Sequence, residues 1–113
     1  MIEELPWSDW NPMPSPETCR RINAPTGPGV YQIRHIATKD KVLFGIGIKC
    51  QKRMKSLFPK PYGVGTRNNE MKRDYIFENW EDLEYHTLER DTREEAKLIE
   101  DIIKSKRDHL FNT

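Results

Sequence analysis

Between Val30 and Ile36 the side chains alternate, with Val30, Gln32, Arg34 and Ile36 on one side and Tyr31, Ile33 and His35 on the other, which predicts a strand. Residues 37–41, polar and containing Lys39-Asp40, read as a turn. Val42-Leu43-Phe44-Gly45-Ile46-Gly47-Ile48 follows as a second strand, so the two form an antiparallel hairpin. Gly45 and Gly47 are poor strand formers, and they point to close approach of another backbone or of a ligand. Over 49–58, Cys50, Met54, Leu57 and Phe58 fall on one helical stripe and Lys49, Lys52, Arg53 and Lys55 lie outside it; Pro59 and Pro61 end the helix. A second helix is predicted over 68–79 with Met71, Tyr75 and Ile76 inward. A third strand is predicted over 80–88, with Leu83, Tyr85 and Thr87 opposing Glu84, His86 and Leu88. The last helix has the clearest pattern. Thr92-Arg93-Glu94-Glu95 makes a capping box, and Ala96, Leu98, Ile99, Ile102 and Ile103 give a broad apolar face.

The residues ahead of the hairpin behave differently. Residues 1–28 hold six of the eight prolines and two of the three tryptophans. That favours an extended arm with at most one short helix over 15–23, where Ser15 can cap and Pro16 can take the first helical position. Trp7 and Trp10 are expected to pin this arm to the domain, with base stacking as the alternative. The expected organisation is an arm over 1–26 and a domain over 27–113. The expected fold class is α+β: a small three-stranded, mainly antiparallel sheet flanked by helices, in the order β-β-α-α-β-α.

A chain of 113 residues has room for one modest core. Four Phe, four Tyr and three Trp argue against disorder even though charged residues make up 33%. Nineteen basic and eighteen acidic residues leave a formal net charge of +1, so only the distribution of charge bears on nucleic acid. Cys19 and Cys50 follow no metal-ligand spacing, and the start, Met-Ile-Glu-Glu-Leu-Pro-Trp, lacks the basic and apolar regions of a signal peptide. A cytoplasmic location is expected, with no membrane span, since no apolar run approaches ~20 residues.

Three residues have the chemistry for a phosphodiester. Tyr31 leaves the first strand, Arg53 lies one turn into the first helix, and Glu100 follows Ala96 by four and precedes Ile103 by three, beside the apolar seam of the last helix. A carboxylate near a core must be paired, hydrogen-bonded or metal-bound. In metal-assisted cleavage the carboxylate holds the cation, the guanidinium neutralises phosphate charge and the phenol assists water. Each also has an ordinary reading, as strand packing, solvated basic helix and salt bridge. Lys49, Lys52, Arg53 and Lys55, extended by Lys60, Arg67, Lys72 and Arg73, form the best basic surface. The loop over 62–69, which includes Arg67, can lie along a phosphate backbone or serve as a plain connector, and it lacks the Gly-Lys-Ser/Thr ending of a P-loop.

Gly29-Val30-Tyr31, Leu43-Phe44-Gly45, Arg53 eight residues beyond Gly45, Glu100 in the last helix and Asn112 twelve residues later resemble, in order, the GIY-YIG nuclease motif over about residues 27–112. The resemblance implies the fold above, with Gly29 and Gly45 as motif glycines, Tyr31, Arg53 and Glu100 as catalytic residues, and Asn112 bracing the motif strands. It implies Mg²⁺ or Mn²⁺ held by Glu100, with DNA cleaved at low intrinsic sequence specificity or with specificity supplied by a protein partner. Lys49, Lys52, Lys55 and Arg67 are the residues placed for DNA. Three departures fall at chemical positions: Leu43 stands for the second tyrosine, Ile46 where some members carry lysine, and Leu57 where some carry histidine or tyrosine. They leave Tyr31 as the only motif phenol, with His35 as a conceivable substitute base. The alternative is a member of the fold that binds nucleic acid or protein with weakened catalysis.

Overall fold

The computed structural model describes residues 2–58 and 70–112, the side chain of Arg20 excepted. Four strands make one antiparallel sheet: β1 (Asn11–Pro12), β2 (Gly29–His35), β3 (Lys41–Gly47) and β4 (Leu83–Glu89), in the spatial order β1-β4-β2-β3. Among the described residues three α-helices accompany it, α1 (Cys50–Lys55), α2 (Glu70–Asn79) and α3 (Arg93–Lys106). The α+β class holds, but the sheet has four strands where three are expected from the sequence. The extra one is a two-residue edge strand from the proline-rich arm, whose Asn11 and Pro12 pair with Tyr85 and Glu84. A proline is tolerated there because an edge strand need not donate on its outer side.

The hairpin pairs Gly29 with Gly47, Tyr31 with Gly45 and Ile33 with Leu43, with an irregularity between Ile33 and Arg34. β2 also pairs with β4 along its length, Gly29 with Glu89 through His35 with Leu83. β4 is thus an interior strand and is buried on both faces, so Glu84 and His86 lie inside with Leu83, Tyr85 and Leu88. Strand alternation does not mean a solvated face here.

Two apolar layers follow the period-2 pattern. On the face of Tyr31 and Ile33, Leu43 packs with Cys50, Met54, Leu57, Phe58, Ile76, Leu83 and Tyr85, joined by Met13, Cys19 and Ile22 from the arm. On the other face Val30, Phe44, Ile46 and Leu88 pack under Ala96 and Ile103. The arm is therefore part of the core. Neither cysteine forms a disulfide, both are buried, and burial pushes Cys50 up to about 12, so it is unreactive at neutral pH.

Several expectations need correcting. The short helix of the arm is a 3₁₀ segment, Pro16–Arg21; Ser15 offers no side-chain cap and pairs its hydroxyl with Thr18 instead. α1 stops at Lys55, and residues 56–58 continue as turns through Leu57 N–H to Met54 O and Phe58 N–H to Lys55 O. In α2, Met71 is 75% exposed and Ile76 makes the inward contact. The predicted start of the third strand, Trp80–Asp82, is a 3₁₀ turn. On α3 the cap is as the sequence implies, with Thr92 Oγ1 accepting from Glu95 N–H at 3.2 Å. Its apolar face is narrower than expected: Ala96 and Ile103 are buried, whereas Leu98 and Ile102 lie largely in solvent. No helix among the described residues is long and apolar enough to cross a membrane.

Candidate functional site

Three glycines on one face of the hairpin shape the cleft. A β-carbon built at Gly45 would lie 2.6 Å from Cζ of Tyr31, so the phenol ring occupies the space a side chain would fill. One built at Gly47 would lie 2.9 Å from Cβ of Arg53, and one at Gly29 3.0 Å from the Leu88 carbonyl and 3.2 Å from Cβ of Cys50. The missing side chains let Tyr31 lie across β3 and let α1 settle on the hairpin with Arg53 over Gly47. The sequence-based inference of close approach at Gly45 and Gly47 is thus explained by the protein's own side chains.

Tyr31 is 3% exposed. Burial pushes its hydroxyl up to about 12, and the Arg53 guanidinium beside it works in the other direction through its charge and its N–H groups. The charge of Glu100 reaches the same hydroxyl. Glu100 comes from α3, which packs chiefly on β3 and next on β2, while α1 packs on β3 from the other side. At the edge of β3 near Gly45 and Gly47, Tyr31 from β2 and Arg53 from α1 lie side by side, and Glu100 from α3 acts on the Tyr31 hydroxyl through its charge. The other half of that edge is covered: Leu110 and Phe111 donate their backbone N–H groups to the carbonyls of Lys41 and Val42 at 3.1 and 2.8 Å.

Glu100 Oε1 accepts from Lys97 Nζ at 3.0 Å, and its side chain is 16% exposed. Lys72 from α2 stands in the same electrostatic neighbourhood. Burial and the charge of Arg53 lower its pKa, Lys104 adds to this, and Glu100 opposes it. Lys72 belongs to the site and was placed in the sequence only as an outlying part of the basic surface. Its spacing carries a signal, because it precedes the buried Ile76 by four and so shares the inward side of α2.

The remaining expected residues distribute as follows. Lys49 and Lys52 are exposed and Lys55 is half-buried. Arg67, Lys60 and the loop over 62–69 lie outside the described residues. Asn112 does not brace the motif strands through its side chain; its amide donates to the Lys104 carbonyl at 3.0 Å and ties the tail to the end of α3. The brace on β3 is the backbone of Leu110 and Phe111. His35 is no substitute base for Tyr31, because its Nε2 is 2.6 Å from the Tyr75 hydroxyl, and four strand residues carry it roughly 13 Å along β2. Leu43, Ile46 and Leu57 are all core residues, between 0% and 8% exposed.

No family model, curated protein or solved structure matches this chain. The cleft is read from its own chemistry. Among the described residues it offers the Arg53 guanidinium, the Glu100 carboxylate, the protonated Tyr31 phenol and the amines of Lys72, Lys97 and Lys104, with Asp101 also paired to Lys97 at 3.1 Å. Among the described residues no three His, Cys, Asp or Glu side chains gather to hold a metal by themselves.

Proposed function

We propose that the chain is a single-domain phosphodiesterase of the GIY-YIG kind, a metal-dependent endonuclease that acts on DNA with low intrinsic sequence specificity. The observation that carries this reading is the pairing of Tyr31 with Arg53 on one glycine-lined edge of the sheet, within electrostatic reach of Glu100 from a third element. Arg53 and Lys72 are placed to take the charge of a bound phosphate, and the exposed Lys49 and Lys52 continue the cationic surface along α1. Tyr31 keeps its proton at neutral pH, so it acts as a hydrogen-bonding group that fixes Arg53 and orients water, not as a base.

A single carboxylate suits Mg²⁺ or Mn²⁺, which retain waters and use substrate phosphate oxygens, and does not suit a zinc site built from three or four protein ligands. Glu100 would hold the cation, and the cation would supply charge to neutralise the phosphate and ease deprotonation of water. To do so Glu100 must exchange its contact with Lys97, a part-buried pair whose lysine also reaches Asp101.

The test is nicking of supercoiled plasmid with Mg²⁺ or Mn²⁺. Arg53→Ala and Glu100→Gln should each reduce it by about 100-fold or more. Nicking that persists in Glu100→Gln would remove that residue from the metal site. The buried phenol and the apolar Leu43, Ile46 and Leu57 favour one other reading, a fold that binds nucleic acid with catalysis weakened or lost. That reading requires salt-sensitive DNA binding with no cleavage under either metal.

A further inference from the structure

On the opposite face of the sheet from Tyr31, a cavity of about 340 Å³ opens beside the arm. Three of its buried lining residues are polar, Gln32, His86 and His109, each 8% exposed or less, beside the fully buried Ile103. They form one directed chain. His109 Nδ1 bonds Asp108 Oδ1 at 2.9 Å and must donate to it, so its Nε2 accepts, here from Gln32 Nε2 at 3.4 Å. The Gln32 carbonyl oxygen then accepts from His86 Nε2 at 2.6 Å. Both histidines are neutral in this arrangement, in keeping with the burial that lowers their pKa values. His86 is left with a lone pair on Nδ1, and Gln32 with a second amide hydrogen.

The arm supplies aromatic walls. The His86 ring is sandwiched between Trp7 and Trp10, at centroid distances of 4.2 and 3.7 Å with planes within 12° of parallel. The Arg34 guanidinium lies 3.7 Å from the centroid of Trp10. The mouth is ionic and wetter. Lys41 pairs with Asp108 at 2.9 Å and Lys106 with Glu3 at 2.5 Å, and all four side chains are at least 31% exposed. Such pairs are worth little and exchange readily for a better anion.

A buried polar chain is a costly way to fill a small core, since apolar side chains of the same shape usually serve stability as well or better. Its combination with a cavity of ligand size, aromatic walls and a mouth of exchangeable ion pairs points to a class of ligand. We propose that this cavity is a second binding site, for a nucleotide unit: the base enters beside the Trp7–His86–Trp10 stack and meets the remaining Gln32 amide hydrogen and His86 Nδ1, and the phosphate exchanges into the pairs at Lys41 and Lys106. The unit is either a free nucleoside monophosphate or the phosphorylated end of a strand. The site uses none of the cleft residues, so it stands whether or not the cleft cleaves DNA.

The experiment is titration of the intact protein with the four deoxynucleoside 5′-monophosphates, followed by tryptophan fluorescence and calorimetry. Deoxynucleosides, inorganic phosphate and short oligonucleotides with and without a 5′-phosphate are run alongside. Saturable binding tighter than about 1 mM is expected for a monophosphate or a 5′-phosphorylated strand. Deoxynucleoside or phosphate alone should bind at least about ten-fold more weakly. Preference for the free monophosphate identifies the first source, and preference for the phosphorylated strand the second. The double variant Lys41→Ala/Lys106→Ala, both at exposed positions, should weaken binding about ten-fold while leaving nicking unchanged. Trp10→Phe, which keeps a ring on His86, should retain fold and binding with an altered quench. Absence of saturable binding in every arm overturns the proposal. So does binding that the double variant leaves intact, or binding that Arg53→Ala abolishes, which would place the nucleotide in the cleft.

Discussion

Tyr31 and Gln32 are neighbours in one strand, and they anchor two faces built on opposite principles. On the Tyr31 face, glycines withhold side chains so that a phenol and a guanidinium can crowd together, and the polar groups there are balanced by charge more than by a closed set of hydrogen bonds. On the Gln32 face, the polar groups satisfy one another in a line from His86 to Asp108 and onward to Lys41. On the first face burial and the charges of Arg53 and Lys104 press on Lys72, and Glu100 opposes them. The second is a line of hydrogen bonds with only His86 Nδ1 and one Gln32 amide hydrogen left over, and it is perturbed by anything that disturbs its protons. A strand with a period of two can thus hold a charged site and a hydrogen-bonded one a single residue apart.

The largest expected effect breaks the glycine face. Gly45→Val places a branched side chain where the Tyr31 ring lies, and should cost about 3 kcal/mol of stability because the ring has the buried strand behind it. Any nicking activity should be lost with it. Gly27→Ala is the matched control, since a β-carbon there meets nothing within 4 Å. It should change stability by no more than about 0.5 kcal/mol in denaturant titration. If both substitutions cost alike, the space over Gly45 is not what holds Tyr31.

The next effect separates the faces by pH. Burial, with Arg34 and Lys41 nearby, pushes His86 down to about 3, and burial also lowers His109. Below the ordinary histidine value of ~6.5 the unfolded chain binds protons that the folded chain refuses, so stability falls as pH drops. For His86 the loss runs from about pH 6.5 to about 3 and then levels off. Unfolding near pH 5 should take up about one proton at His86 and a further fraction at His109. Asp108, lowered by Lys41 despite its desolvation, adds its own loss only in the more acid range, below its usual value. His86→Phe keeps the ring stack and leaves Gln32 short of a donor. It should be less stable at pH 7 by about 1–3 kcal/mol yet show a flatter acid limb. An unchanged acid limb would mean that His86 is not the group held neutral.

The hairpin, α3 and its cap were legible because they depend on local rules: alternation, a threonine three residues before the glutamate it caps, and apolar spacing. Glu100 was legible for the same reason, lying on the seam between Ala96 and Ile103. What escaped depends on long-range pairing. β1 is two residues long, and nothing in Asn11-Pro12 itself marks a strand; it exists because Met13 N–H finds the Leu83 carbonyl and Ser8 finds Thr87. The alternation of Leu83, Tyr85 and Thr87 with Glu84, His86 and Leu88 does not say that β4 is paired on both sides and buried on both faces. The chain from His86 to His109 spans positions 32 to 109, a separation no local spacing encodes.

The smallest effect on stability is the most pointed test of the cleft. Tyr31→Phe keeps the ring over Gly45 and removes only a hydroxyl, so unfolding should shift by no more than about 1 kcal/mol. The ionisation of the phenols should nonetheless tell the two proteins apart. The Tyr31 hydroxyl is held at about 12 by burial, against the pull of Arg53, so in the folded protein it ionises after a tyrosine of ordinary value near ~10. Alkaline titration of phenolate absorbance should therefore superimpose for wild type and Tyr31→Phe up to about pH 11. The curves should part only above that, or once the fold gives way. Arg53→Met in the wild-type background removes the opposing cation and should delay Tyr31 further. A phenol that disappears near pH 10 in Tyr31→Phe would show an open, solvated hydroxyl, and the contrast between a crowded glycine face and a closed polar face would not stand.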